Sequence, residues 1–219
     1  MRHAGAFRGG VFHFDLMSQT SVSIPGYSFG MAEVGLSPIS LRELEELKVT
    51  AAFTDEDARY LQLAGLALEG QTRQVVEHWR SHVIASIPHL ARHSRTPEGA
   101  AIPEYLARSN RRFEQWILDT CQRPYDQDWI NYQHENALRH TSARKNKVDG
   151  VRSTPFAPLG DIIAFAAVMN ETIKPYLAAK GNSADEVEKM HRAWCKSMHI
   201  QLALWTAAYA DPVRSAFGW

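Results

Sequence analysis

The chain of 219 residues carries 24 basic and 24 acidic side chains and a sequence pI of about 7.2. That balance argues against a nucleic-acid binder or a polybasic membrane-surface protein, both of which depend on an excess of Lys and Arg. Hydrophobic content of 45% and charged content of 22% are those of an ordinary globular protein long enough for one sizeable core.

Cys121 and Cys195 are too few for a disulfide framework and too widely spaced for a redox pair, so a reducing cytoplasm is the expected setting. Residues 1–20 contain Arg2 and Arg8, but His13 and Asp15 interrupt the apolar residues that a signal-peptide core needs. No run approaches the roughly 18 apolar residues of a membrane span. With no Pro/Gly/Ser-rich linker, residues 21–219 read as one domain behind an N-terminal extension, residues 1–20, for which disorder is the expectation. The chain ends soon after its last helical pattern, so no room for an output domain is expected.

Ile24-Pro25-Gly26-Tyr27-Ser28-Phe29-Gly30 is a turn-rich stretch with two aromatics. Ser40-Leu41-Arg42-Glu43 has the form of a capping box and predicts a short helix to about Thr50. Thr54-Asp55-Glu56-Asp57 opens a second helix with its acidic residues at the positive end of the dipole, followed by Tyr60, Leu61, Ala64 and Leu68 at core spacing. Val75, Val76, Trp79, Val83 and Ile84 carry the helical period through a third helix to about Ser86, where Pro88 intervenes. Residues 92–101 read as loop. Pro103 suits a first helical position, and Leu106, Phe113, Trp116 and Ile117 follow as an apolar stripe interrupted by Ser109.

Arg144-Lys145-Asn146-Lys147-Val148-Asp149-Gly150 reads as a basic, solvated corner closed by an Asp-Gly turn. Two long helices finish the chain. The first runs from Leu159 to about Lys180 with Ile162, Phe165, Met169 and Ile173 in register, and Gly181 terminates it. The second runs from Ser183 to about Ala208 behind a capping box that ends at Glu186. No alternating segment predicts a sheet, so the fold class is all-α.

Between these walls lies Trp129-Ile130-Asn131-Tyr132-Gln133-His134-Glu135-Asn136-Ala137-Leu138-Arg139-His140, helical in pattern and closed by a histidine. Counting back from His140 in helical steps places Ala137, Asn136, Gln133, Tyr132 and Trp129 on one stripe. Ala137 is small enough to let a flat ligand approach while the imidazole reaches its centre, a face suited to an axially ligated haem. A lone histidine on an apolar helical face is more often a hydrogen-bonded core residue.

Trp116-Ile117-Leu118-Asp119-Thr120, Tyr132-Gln133, Leu138-Arg139-His140 and Lys174-Pro175-Tyr176-Leu177 tip that balance. In these segments, and with short interruptions from Ile24 to Trp205, the chain resembles the protoglobins, single-domain relatives of the globin domain of globin-coupled sensors. The resemblance implies a globin-like helical sandwich with an additional N-terminal helix, and a non-covalent haem b, since the sequence has no Cys-x-x-Cys-His. It places His140 on iron, Phe113, Ile162, Phe165 and Met169 on pocket walls, Trp79 on the distal ceiling and the 24–30 segment over the haem edge. Arg80, Ile117, Tyr132 and Ala137 complete the expected cofactor-binding set. Arg112 is expected at the rim, where a guanidinium pairs with a propionate.

One departure concerns the residue after Trp79, where protoglobins typically have a tyrosine and this chain has Arg80. The stretch from Trp79 to Pro88 is also one residue longer than the family pattern, which places either Arg80 or Ser81 at that position and a tyrosine in neither case. Because burying an unpaired guanidinium is costly, Arg80 is expected to turn outward and to affect dioxygen release by less than about tenfold. His78 with His82, and His89 with His93, have chelating spacing but lack a hydrolase glutamate or regular helix, so solvent exposure is the expectation.

The leading expectation is a haem protein that reversibly binds dioxygen, carbon monoxide or nitric oxide. The alternatives are a haem enzyme acting on nitric oxide, nitrite or peroxide with Arg80 or His82 steering anions, a gas sensor working through a separate partner, and a helical scaffold without cofactor. Trp194, Trp205, Met190 and Met198 exceed what one apolar stripe needs. With the resemblance, that implies a homodimer through the last two helices.

Overall fold

The computed structural model describes residues 23–210; the N-terminal extension expected for residues 1–20 lies outside them. Among the described residues the elements are helical, with one isolated antiparallel bridge between Arg95 and Ala101. The α-helices are α1 (Leu41–Thr50), α2 (Asp55–Leu68), α3 (Thr72–Glu77), α4 (Pro88–Ala91), α5 (Pro103–Gln122), α6 (Gln127–Leu138), α7 (Leu159–Thr172), α8 (Lys174–Ala178) and α9 (Ala184–Tyr209). No described helix is long and apolar enough to cross a membrane.

The starts follow local chemistry. Ser40, Thr54 and Ser183 each form a capping box with the acidic residue three positions on, so orphan N–H groups at the heads of α1, α2 and α9 are satisfied. Asp126 caps α6, its Oδ1 accepting from the Trp129 N–H at 2.9 Å. α9 runs along the core, burying Val187, Met190, Trp194, Met198, Leu204 and Trp205. α2 packs closely on α5 because residue 65 is glycine: a Cβ there would stand 2.9 Å from the Cys121 Cβ.

Three expectations need correction. The third helix does not stay regular: after α3 the chain forms a π-helix, His78–Val83, then a 3-10 turn, Ile84–Ser86. The Ile84 N–H reaches back to the carbonyls of both Arg80 and Trp79, so the turn is widened here without a break in the chain's helical path. The helix expected from Leu159 to Lys180 is broken at Ile173, because Pro175 lacks an N–H and its ring obstructs the preceding turn. Residues 144–150 are not a purely solvated corner, since Lys145 is 6% exposed and the Asp149 side chain 4%.

The tryptophans and methionines assigned to a dimer face are also placed differently. Met190 and Trp194 are fully buried and Met198 and Trp205 nearly so, all within the monomer core.

Candidate functional site

α6 ends at Leu138, Arg139 caps it, and His140 stands in the following tight turn, its N–H donating to the Ala137 carbonyl at 2.9 Å. The His140 carbonyl accepts from the Ala157 N–H at 2.7 Å, which ties the entry to α7 against the end of α6. His140 Nδ1 lies 2.8 Å from the Asn136 carbonyl oxygen. A carbonyl can only accept, so Nδ1 carries the proton and Nε2 keeps its lone pair. The ring packs on Trp205 with centroids 5.1 Å apart, and Trp205 is itself fixed by donating from Nε1 to Gln133 Oε1 at 3.0 Å. Burial pushes the imidazole from 6.5 down to about 4, with Arg80 and Lys145 adding to the shift, so it is neutral at physiological pH.

His140 lines a cavity of about 250 Å³ between α5, α6, α7, α9 and the π-helix. The apolar walls include Ile84, Phe113, Trp116, Ile162, Phe165, Met169, Met198, Leu202 and Trp205, and the polar ones Arg80, Ser109, Arg112, Asn136, Lys145 and Asp149. Of the expected site residues, the structure therefore brings together His140, Arg80, Arg112, Phe113, Ile162, Phe165 and Met169.

It does not bring the other four to the wall. Trp79 is fully buried behind Phe113 and Phe165, at 5.3 and 6.5 Å between centroids, with Nε1 donating to Thr172 Oγ1 at 2.8 Å. Ile117 is in the core one turn past Phe113. Tyr132 meets the edges of Tyr27 and Phe29, and Ala137 is fully buried. Because α6 stops two residues before His140, the helical count from it holds for Asn136 but not for Ala137, Gln133, Tyr132 and Trp129, and Arg139 lines the cavity in addition.

The 24–30 segment does not line the cavity either, and is strapped across α5 and α6. The Pro25 carbonyl accepts from Arg112 at 2.8 Å, the Gly26 carbonyl and Ser28 Oγ accept from Arg139 at 2.7 and 2.8 Å, and Tyr27 donates to Asp119 at 2.8 Å. Gly26 sits at φ +75, and a Cβ there would meet Arg112 Nη1 at 2.9 Å.

Arg80 turns inward, contrary to expectation. Its Nη2 donates to Ser109 Oγ at 2.8 Å, its guanidinium lies 5.3 Å from the Phe113 ring centre, and its buried Nε has no hydrogen-bond partner. The hydroxyl and the aromatic face offset part of the desolvation that argued for an outward position. Arg112 is neither an exposed helix arginine nor free: it grips Asp149 at 2.6 and 3.1 Å, and Arg108 Nε joins the same carboxylate at 2.9 Å. His82 is exposed and stacks on His78 at 5.5 Å; among the described residues no three His, Cys, Asp or Glu side chains cluster as a metal site.

His93, expected to be solvent-exposed with His89, lines this cavity with its Nε2 buried, and Lys145 and Gln201 also line it and were not singled out from the sequence. Lys145 offered no signal there, because a basic loop is ordinarily solvated.

Helices packed around such a cavity, with a histidine at the end of one of its helices, define a globin-type domain. The fold is similar to the globin domain of the Geobacter sulfurreducens globin-coupled sensor, with a TM-score of 0.54 and 18% identity over 76% of this chain and 97% of that one. The protoglobin family model matches residues 40–214, and the chain belongs to the protoglobin family. No curated protein sequence matches it. Membership of a globin family implies haem binding, and the residues present suit that group: a neutral imidazole with a free Nε2, an apolar wall and an unpaired guanidinium Nε on Arg80. The volume is below the roughly 300–1,000 Å³ usual for small-molecule sites, so a porphyrin enters with some movement of wall side chains.

Proposed function

We propose that the protein holds haem b non-covalently through His140 and reversibly binds dioxygen, carbon monoxide or nitric oxide. The observation that carries this reading is the His140 Nδ1 contact to the Asn136 carbonyl, which fixes the ring and leaves Nε2 as the ligating nitrogen on a cavity wall. When bound, the haem supplies an iron centre with a position for a diatomic gas. The chain's own part is to keep the imidazole neutral and oriented, to exclude water with Phe113, Ile162, Phe165 and Met169, and to present Arg80 as a charged donor to a polar ligand.

Gas sensing through a separate partner, in the cytoplasm, is the physiological setting that this reading favours, as the related structure is the globin domain of a sensor. A second reading, a haem enzyme acting on nitrite, peroxide or nitric oxide, is favoured by one observation: the Arg80 Nε is buried and unpaired, which suits an anion.

The test is the absorption spectrum of the purified chain with and without hemin. A Soret band that saturates at one haem per chain is expected; His140→Ala should weaken retention strongly and His134→Ala little, since His134 does not line the cavity. Imidazole added to His140→Gly should restore the ferrous spectrum. Equal retention in wild type and His140→Ala would remove His140 from the iron.

A further inference from the structure

Lys145, on the turn-rich segment between α6 and α7, is only 6% exposed, and it lines the cavity. Its Nζ donates to the His93 carbonyl at 3.1 Å and to Ser153 Oγ at 3.4 Å, both neutral acceptors. An ammonium has three donors, so one remains. Nearby carboxylates are committed elsewhere: Asp149 to Arg108 and Arg112, and Glu135 to Arg139 and Arg144. Asp161 stands 3.8 Å from His93 Nε2, a buried nitrogen with no hydrogen-bond partner. Among the described residues, none of the ion pairs includes Lys145.

A buried ammonium without a counter-charge is costly, and the fold retains this one beside an unpaired imidazole nitrogen on a cavity wall. Burial holds the Lys145 amine down at about 8, and the His93 imidazole is lowered by burial and by Lys145 itself. The Lys145 shift is that of a group whose charged form lacks a counter-charge, while at His93 Asp161 works against the lowering.

We propose that Lys145, with His93 beside it, receives a carboxylate of the group bound in the cavity. Arg112, the residue expected in that role, is already bidentate on Asp149. The assignment rests on the haem reading, in which the carboxylates are the propionates.

The full chain, Lys145→Met and Lys145→Gln are titrated with hemin and with hemin dimethyl ester, which has the same ring and iron without ionised carboxylates. Binding is read from the Soret band and from quenching of tryptophan fluorescence. Wild type should prefer hemin to the ester by about tenfold, or roughly 1.4 kcal/mol. Both variants should lose that preference while binding the ester as tightly as wild type, and Lys145→Arg should keep part of it. An unchanged preference in both variants overturns this site and leaves the haem reading standing. A preference lost in Arg112→Met instead also overturns it, moving the carboxylate to Arg112. Failure of wild type to bind either ring removes the haem reading and this site together.

Discussion

Arg80 Nη2 donates to Ser109 Oγ at 2.8 Å, so the side chain that follows Trp79 is tethered to α5 within the cavity. A hydrogen bond from a charged donor contributes roughly 1.5–3 kcal/mol, and bound dioxygen carries partial negative charge where carbon monoxide does not. Arg80→Leu should therefore speed dioxygen release by about ten- to a hundredfold and carbon monoxide release by much less. Stopped-flow ligand displacement measures both. Equal effects on the two gases would mean that Arg80 acts by blocking access rather than by donating.

Asp149 joins three elements: it accepts from Arg108 and Arg112 of α5, and Arg112 in turn holds the Pro25 carbonyl. Removing the carboxylate leaves two guanidiniums facing each other, with Arg112 only 13% exposed. Breaking a buried pair by deleting one partner costs about 3 kcal/mol or more. Asp149→Ala should lower the urea midpoint with an unchanged slope. A shift below about 0.5 kcal/mol would show that the contact is solvated in solution.

The all-α class, the capping boxes of Ser40 and Ser183 and the place of His140 at the end of a helix were legible because each is a local signal: a hydroxyl and a carboxylate three residues apart, or an apolar period; that Thr54 and Asp57 close a third box came only with the structure. The inward turn of Arg80 was not legible, since it depends on a Ser109 hydroxyl 29 residues away and on the π-helix that carries it. Nor was the burial of Lys145 and Asp149, whose partners His93, Arg108 and Arg112 lie 37 to 52 residues back. Trp79 and Phe113 shared an apolar register, but register cannot tell which of two packed rings faces the cavity and which stands behind it. The tryptophans of α9 looked like surplus until α2, α6 and α7 were seen to surround that helix.

Among the described residues, exposed large apolar side chains include the scattered Leu36, Val49 and Leu66, and a further group gathers on and beside α7. Ile163 is 48% exposed, Ala164 and Ala167 are exposed, and Phe156 just before the helix is 49% exposed. A helix apolar on nearly every side is normally covered. A homodimer through this face is expected, with Ile163→Asp shifting it to monomer in sedimentation velocity while leaving helix content unchanged. A wild-type monomer at micromolar concentration would count against the assembly.

Lys145 also fixes a pH dependence for the ligand-free protein. Its amine is held at about 8 by burial, against 10.5 in the unfolded chain. Below pH 8 both states carry the proton and the folded state bears the full cost of a buried charge. Between pH 8 and about 10 the folded state sheds the proton while the unfolded chain keeps it, so stability rises with pH. Above that, Tyr27, Tyr125, Tyr132 and Tyr209, all raised by burial, act in the opposite sense and take stability away. Water reaching the cavity screens part of the effect, leaving a gain on the order of 1–2 kcal/mol across the window. The measurement is the denaturant midpoint of wild type minus that of Lys145→Met from pH 7 to 10. The variant should be the more stable at pH 7, and the difference should close as the pH rises. A difference that stays constant over this range would mean that Lys145 does not titrate near pH 8. With a carboxylate bound beside it the amine should regain its ordinary range, and the rise should disappear in the haem-loaded protein.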